Sequence, residues 1–131
     1  MRFILDTSVL IEGWDAPETG EAAISVISLA ELHHGVLVAA DPVQRDLRLA
    51  RLAVIEHEFD PLPVTAEVAR AYGRCAAAVA RCGRNPRARS FDLLIAATAL
   101  CAGATLYTRN LKDFDGLDEL VLIRAATRPS A

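Results

Sequence analysis

A chain of 131 residues fits a single domain, able to bury about two-thirds of the surface its unfolded form exposes. No apolar run approaches the roughly 20 residues of a membrane span and the N-terminus lacks the basic-then-apolar layout of a signal peptide, so a soluble cytoplasmic protein is expected. A hydrophobic content of 53% with a mean hydropathy of +0.27 leaves apolar surface over for a partner, while a net charge of −3 excludes a nucleic-acid binder that works by bulk charge alone.

The first apolar run, Arg2 to Leu5, reads as a buried strand that stops at Asp6 and turns into a helix through Thr7, Ser8, Val9, Leu10 and Ile11. Trp14 to Gly20, with Pro17, reads as a loop, and Ala23 to Ile27 as a second strand. Ser28 to Ala40 follows helical spacing through Leu29, Leu32, Val36 and Leu37. Asp41-Pro42 signals the start of another helix, carried by Leu47, Leu49, Leu52, Val54 and Ile55, with Arg45, Arg48 and Arg51 outward. Pro61 and Pro63 bracket a short extended piece. Thr65 opens a helix that runs to Gly83. After the loop Arg84 to Arg89, a nearly apolar helix spans about Ser90 to Ala102 and ends at Gly103. Thr105 to Tyr107 reads as a strand, Asn110 to Phe114 as a turn or short helix, Leu120 to Ile123 as the last strand, and Arg128 to Ala131 as frayed. Strands separated by helices imply an α/β fold with a mostly parallel sheet covered on both faces, over residues 1–131 as one domain.

Cys75, Cys82 and Cys101 lie in alanine-rich helical patterns and read as small buried hydrophobes in a reducing compartment. His33 and His34 are adjacent, point in different directions on a helix and read as surface or partly packed residues. Nearly all the positive charge is arginine, Lys112 being the only lysine, and Arg81, Arg84, Arg87 and Arg89 fall in one short stretch. That stretch suits phosphate, or equally a solvated loop.

Four acids organise the functional reading. Each has a local explanation: Asp6 as an N-cap, Glu31 as the partner of Ser28 in a capping box, Asp92 in the first turn of a helix, and Asp113 as a turn residue. Jointly they have another. Ligand sites of parallel sheets form at the carboxyl ends of the strands, where Asp6 and the Asp113 stretch lie and which the first turns carrying Glu31 and Asp92 face. Gathered carboxylates repel one another and resist burial, a conflict that a hard divalent cation relieves.

The motifs that carry these acids are Asp6-Thr7-Ser8; Ser28-Leu29-Ala30-Glu31-Leu32 closed by Gly35; Asp92-Leu93-Leu94-Ile95-Ala96-Ala97-Thr98-Ala99; and Thr108-Arg109-Asn110-Leu111-Lys112-Asp113-Phe114. In this order and spacing the chain resembles the PIN-domain ribonucleases, and within them the VapC-type toxins of toxin–antitoxin pairs. The resemblance implies a three-layer α/β/α fold and a Mg²⁺-dependent endoribonuclease, with Mn²⁺ as a substitute ion, that leaves a 5′-phosphate and a 3′-hydroxyl. It implies Asp6, Glu31, Asp92 and Asp113 as the catalytic acids, Asp6 and Asp92 as direct metal ligands, and Ser8, Thr108 and Asn110 as residues orienting carboxylates or waters. Arg87, Arg89 and Arg109 are candidate RNA contacts. A VapB-type antitoxin and a second copy of the chain are the implied protein partners, with the stretches Ser28 to Ala40 and Asp41 to Phe59 as walls of the antitoxin groove.

Two other classes compete. A phosphoacceptor receiver domain needs a pair of acids after the first strand, where this chain has Asp6 followed by Thr7 and Ser8. A partner-binding module that kept the fold and lost catalysis would carry the acids as caps and bind neither Mg²⁺ nor Mn²⁺ specifically.

Overall fold

The computed structural model describes residues 2–13 and 20–127; most of the expected loop at Trp14 to Gly20 and the four residues from Arg128 lie outside the described residues. Four short strands, β1 (Arg2–Leu5), β2 (Glu21–Ala23), β3 (Thr105–Thr108) and β4 (Ile123–Ala125), pair entirely in parallel in the order β2-β1-β3-β4. Register sets Phe3 opposite Ala22, Ile4 opposite Leu106 and Tyr107 opposite Arg124. The helices are α1 (Thr7–Glu12), α2 (Val26–Leu37), α3 (Pro42–Glu58), α4 (Ala66–Arg81) and α5 (Ser90–Ala102), with single 3-10 turns at Pro86–Arg89 and Leu111–Phe114.

Alternation along β1 splits the core in two. Ile4 faces one apolar cluster with Leu93, Ile95 and Ala96 of α5, Cys75 and Val79 of α4, and Leu106 of β3. Leu5 faces the other, with Val9 of α1, Leu32 and Val36 of α2, and Leu52 and Ile55 of α3. The sheet is therefore the middle of three layers, as expected. Helix α5 is buried along Leu93 and Ile95–Ala99, which is why its sequence is apolar nearly all round.

Helix ends follow local chemistry. Asp41 caps α3 by accepting from the Gln44 N–H at 2.8 Å, with Pro42 in the first turn; Thr65 caps α4 by accepting from Val68 at 3.2 Å. Gly103 closes α5 in the left-handed conformation at φ 61°.

Several expectations are corrected. The second strand is Glu21–Ala23, three residues long, and α2 begins at Val26 with Ser25 as its cap, its hydroxyl accepting from Ile27 at 3.0 Å. Ser28 thus lies within the helix and forms no capping box. Backbone bonds from Val26 to the Leu62 carbonyl and from Leu62 to the Ile24 carbonyl draw Ser25 out of the strand and against the extended Pro61–Pro63 piece. The last strand is Ile123–Ala125, because Leu120 and Val121 turn into the core instead. On α3 only Leu52 and Ile55 are buried; Leu47, Leu49 and Val54 are exposed, and Arg48 points inward to donate to the Gly35 carbonyl at 2.7 Å. Of the cysteines only Cys75 is buried, its thiol pushed up to about 11 by withdrawal from water; Cys82 and Cys101 are exposed.

Candidate active site

Asp6 leaves the carboxyl end of β1, where its N–H donates to the Tyr107 carbonyl of β3 at 2.9 Å. It occupies the cap position of α1, yet its side chain makes no capping bond. Its Oδ2 instead accepts from the Ser8 hydroxyl at 2.8 Å and the Thr108 hydroxyl at 2.9 Å. Asp6 is 4% exposed, so these two donors stabilise a carboxylate with little access to bulk water. The donors are themselves held: Ser8 Oγ accepts from the Arg109 N–H at 3.1 Å, and Thr108 Oγ1 from the Asn110 N–H at 3.0 Å. Capping alone does not account for Asp6.

Glu31 lies a turn and a half into α2. Thr7 Oγ1 donates to its Oε1 at 2.7 Å and lies 2.9 Å from Ser28 Oγ, which ties α1 to α2. Burial raises the Glu31 pKa, the Thr7 bond lowers it, and the charge of Asp6 raises it again. Asp92, in the first turn of α5, is half-buried and accepts no hydrogen bond from the described residues. Its pKa rises to about 6, first through burial and then through the charges of Asp6, Asp113 and Glu31, partly offset by Arg89. Asp113, in the 3-10 turn after β3, is held by Arg89 at 2.9 Å.

The charges of Asp6, Asp113 and Glu31 all reach Asp92, so the four expected acids lie within electrostatic range of one another at this end of the sheet. They are not closed on one point: among the described residues no three His, Cys, Asp or Glu side chains stand close enough to share an ion. Arg89 is paired with Asp113 at 2.9 Å. The donor set fits a hard divalent cation, since it offers carboxylate oxygens and hydroxyls with no sulfur or imidazole, and Asp92 carries an unfavourable charge that such an ion would offset.

The supporting residues divide differently from expectation. Ser8 and Thr108 orient Asp6 directly. Asn110 acts through its backbone, donating to Thr108 and accepting from the Asp113 N–H at 3.0 Å, while its side chain is exposed. Arg109 lies 3.1 Å from Glu12 and donates to the Gly13 carbonyl; with its side chain 9% exposed, it braces the end of α1 and offers RNA little surface. Arg89 is engaged with Asp113. Arg87 alone of the three candidate RNA contacts has no side-chain bond to the described residues. Sequence reading missed Thr7 as a tether of Glu31 and Arg89 as the counter-ion of Asp113. The first had a signal, a β-branched hydroxyl between two site residues; the second depends on two turns that meet only in space.

The family model described as "PIN domain" matches residues 3–120. The chain is 38% identical to Ribonuclease VapC5 of Mycobacterium tuberculosis over 88% of this chain and 87% of that one. It is 30% identical to Ribonuclease VapC1 of Rickettsia felis over 98% and 99%. Among solved structures, a member of the VapBC family of toxin–antitoxin systems, VapBC-5 from Mycobacterium tuberculosis, superposes with a TM-score of 0.81 at 35% identity, covering 96% of this chain and 98% of that one.

Proposed function

The chain belongs to the PIN domain family, with the VapC ribonucleases as relatives, and from that membership we propose that it is a metal-dependent endoribonuclease and the toxin of a toxin–antitoxin pair. The observation that carries the reading is Asp92: a half-buried acid left without a hydrogen bond from the described residues, facing the charges of Asp6, Asp113 and Glu31. A fold built only around caps has no reason to hold that arrangement.

Asp6 and Asp92 would hold Mg²⁺ or Mn²⁺ directly, with Glu31 and Asp113 beside them. When bound, the ion supplies charge neutralisation at the scissile phosphate and a water of lowered pKa. The chain's own contributions follow from its contacts. Ser8 and Thr108 hold one oxygen of the Asp6 carboxylate, Oδ2, leaving Oδ1 for the ion, and Thr7 fixes one oxygen of Glu31, leaving the other to orient or deprotonate the attacking water. Arg89 holds Asp113 while the site is open, and Arg87 meets the incoming phosphate chain.

The partner reading rests on the apolar surplus. Leu37, Val38, Val43, Leu47 and Val54 are exposed along α2 and α3, and a groove of about 200 Å³ bounded by Ile11, Leu32, Arg48 and Arg51 runs to Glu31. A segment of a VapB-type antitoxin lying there would cover an acid of the site, and a second copy of the chain is the other expected partner.

Cleavage of a total small-RNA pool by the purified, antitoxin-free protein tests the proposal, run in Mg²⁺, in Mn²⁺, in EDTA and with Asp6→Asn. Discrete cuts that need the ion and vanish in the variant are expected. A folded protein that cuts nothing with any divalent ion would instead be a binding module.

A further inference from the structure

Phe91 immediately precedes Asp92 in the first turn of α5. Leu93 and Ile95 to Ala99 of that helix are buried, whereas Phe91 is 51% exposed. Isolated exposed apolar residues are ordinary; the setting of this one is not. It lines a cleft of about 400 Å³ with Arg87, Arg89, Glu31 and Asp92, and among the described residues no other large apolar side chain lines it. No ring among the described residues stacks on Phe91, and Arg89 is bound to Asp113, which leaves Arg87 as the cleft's uncommitted cation.

We propose that Phe91 is the stacking platform for a base beside the scissile phosphate, with Arg87 holding that nucleotide's phosphate; this rests on the nuclease reading above. A bare aromatic face with a cation beside it is how proteins grip single strands, because every base offers a π-face once it is unstacked. Bases inside a duplex already spend theirs on one another. The site therefore selects RNA with an unpaired nucleotide at the cut, a loop or a frayed end, and rejects continuous duplex.

The test uses short RNAs carrying the fluorescent base 2-aminopurine at successive unpaired positions, titrated with full-length protein in EDTA at low ionic strength and again in Ca²⁺, with cleavage in Mg²⁺ followed separately. Wild-type protein is expected to quench the fluorescence at one position. Phe91→Ala is expected to weaken binding about 5- to 150-fold, the size of one base–aromatic stack, and to abolish the quench. Phe91→Trp is expected to restore both, and duplex RNA to bind poorly. Circular dichroism establishes that each variant is folded. The proposal is overturned if wild-type protein quenches no position, or if Phe91→Ala binds as tightly and quenches as fully as wild type. Unchanged RNA binding with weakened capture of the co-expressed antitoxin assigns the ring to a protein interface and equally overturns it. If wild-type protein still cuts RNA in these cases, only the stacking role fails. If it neither binds nor cuts any RNA, the nuclease reading fails with it.

Discussion

Replacing Asp92 with asparagine is expected to make the metal-free protein more stable, the opposite of the usual effect of changing a half-buried residue. In the folded chain this carboxyl has its pKa raised from 3.8 to about 6, so folding favours its protonated form. Between those values the folded state binds more protons than the unfolded one, and stability falls as pH rises. Above pH 6 the full cost of holding the charge is present; below pH 3.8 it is gone. The gap is worth about 3 kcal/mol at face value. Solvent reaches the half-buried group and screens its neighbours, which reduces the figure to about 1 kcal/mol. For a chain of this length that corresponds to about 3–5 °C in melting temperature. Thermal unfolding in EDTA, from pH 4 to pH 8, should show the variant ahead of wild type at pH 7.5 and level with it near pH 4. Saturating Mg²⁺ should reverse the order, since an ion at a hundred times its dissociation constant adds about 2.7 kcal/mol to whichever protein binds it. A gain of equal size at pH 4 and pH 7.5, or a loss at pH 7.5, would refute the electrostatic account of Asp92.

Three further outcomes follow from other contacts. Thr108→Val keeps the shape of a buried side chain while removing a donor to Asp6 and an acceptor for Asn110; it should cost about 2 kcal/mol in urea unfolding and about 10- to 100-fold in metal affinity by calorimetry, with Asp6 still present. Gly20→Ala should destabilise by about 2 kcal/mol or more, because Gly20 has φ +124° and an added Cβ would sit 1.9 Å from the Phe3 ring; unchanged unfolding would show that the β2 entry can rearrange. Native-state alkylation read by mass spectrometry should label Cys82 and Cys101 and spare Cys75, whose buried thiol reacts only once the chain is unfolded.

Legibility in the sequence tracks how local the cause is. Asp41-Pro42, Thr65 and Gly103 act on backbone groups within four residues, and the helix ends they mark were readable to within a residue or two. The boundary at Ser25 was not. Ile24 and Ile27 make the stretch look like continuing strand, and what ends it is a backbone bridge to Leu62, far along the chain. Leu120 and Val121 misled in the same way, being apolar because they enter the core from a turn rather than because they lie in a strand. At the site, the sequence offers the four acids as an expected set, because their motifs fall at strand ends and early helical turns near one edge of the sheet. The pairing of Arg89 with Asp113 and the tether from Thr7 to Glu31 were not legible, since each joins segments whose approach depends on the packing of whole helices.

The sheet order has a consequence in time as well as in space. Asp6 is made 102 residues before Thr108, whose hydroxyl holds it from the strand beside β1. A growing chain that has not yet released β3 has no neighbour on that side of β1, no Asp113, and for most of synthesis no Asp92. A product that stops before Asp92 therefore lacks two of the four acids. If the protein cuts RNA with this set of acids, a nascent chain cannot do so before Asp113 has been made.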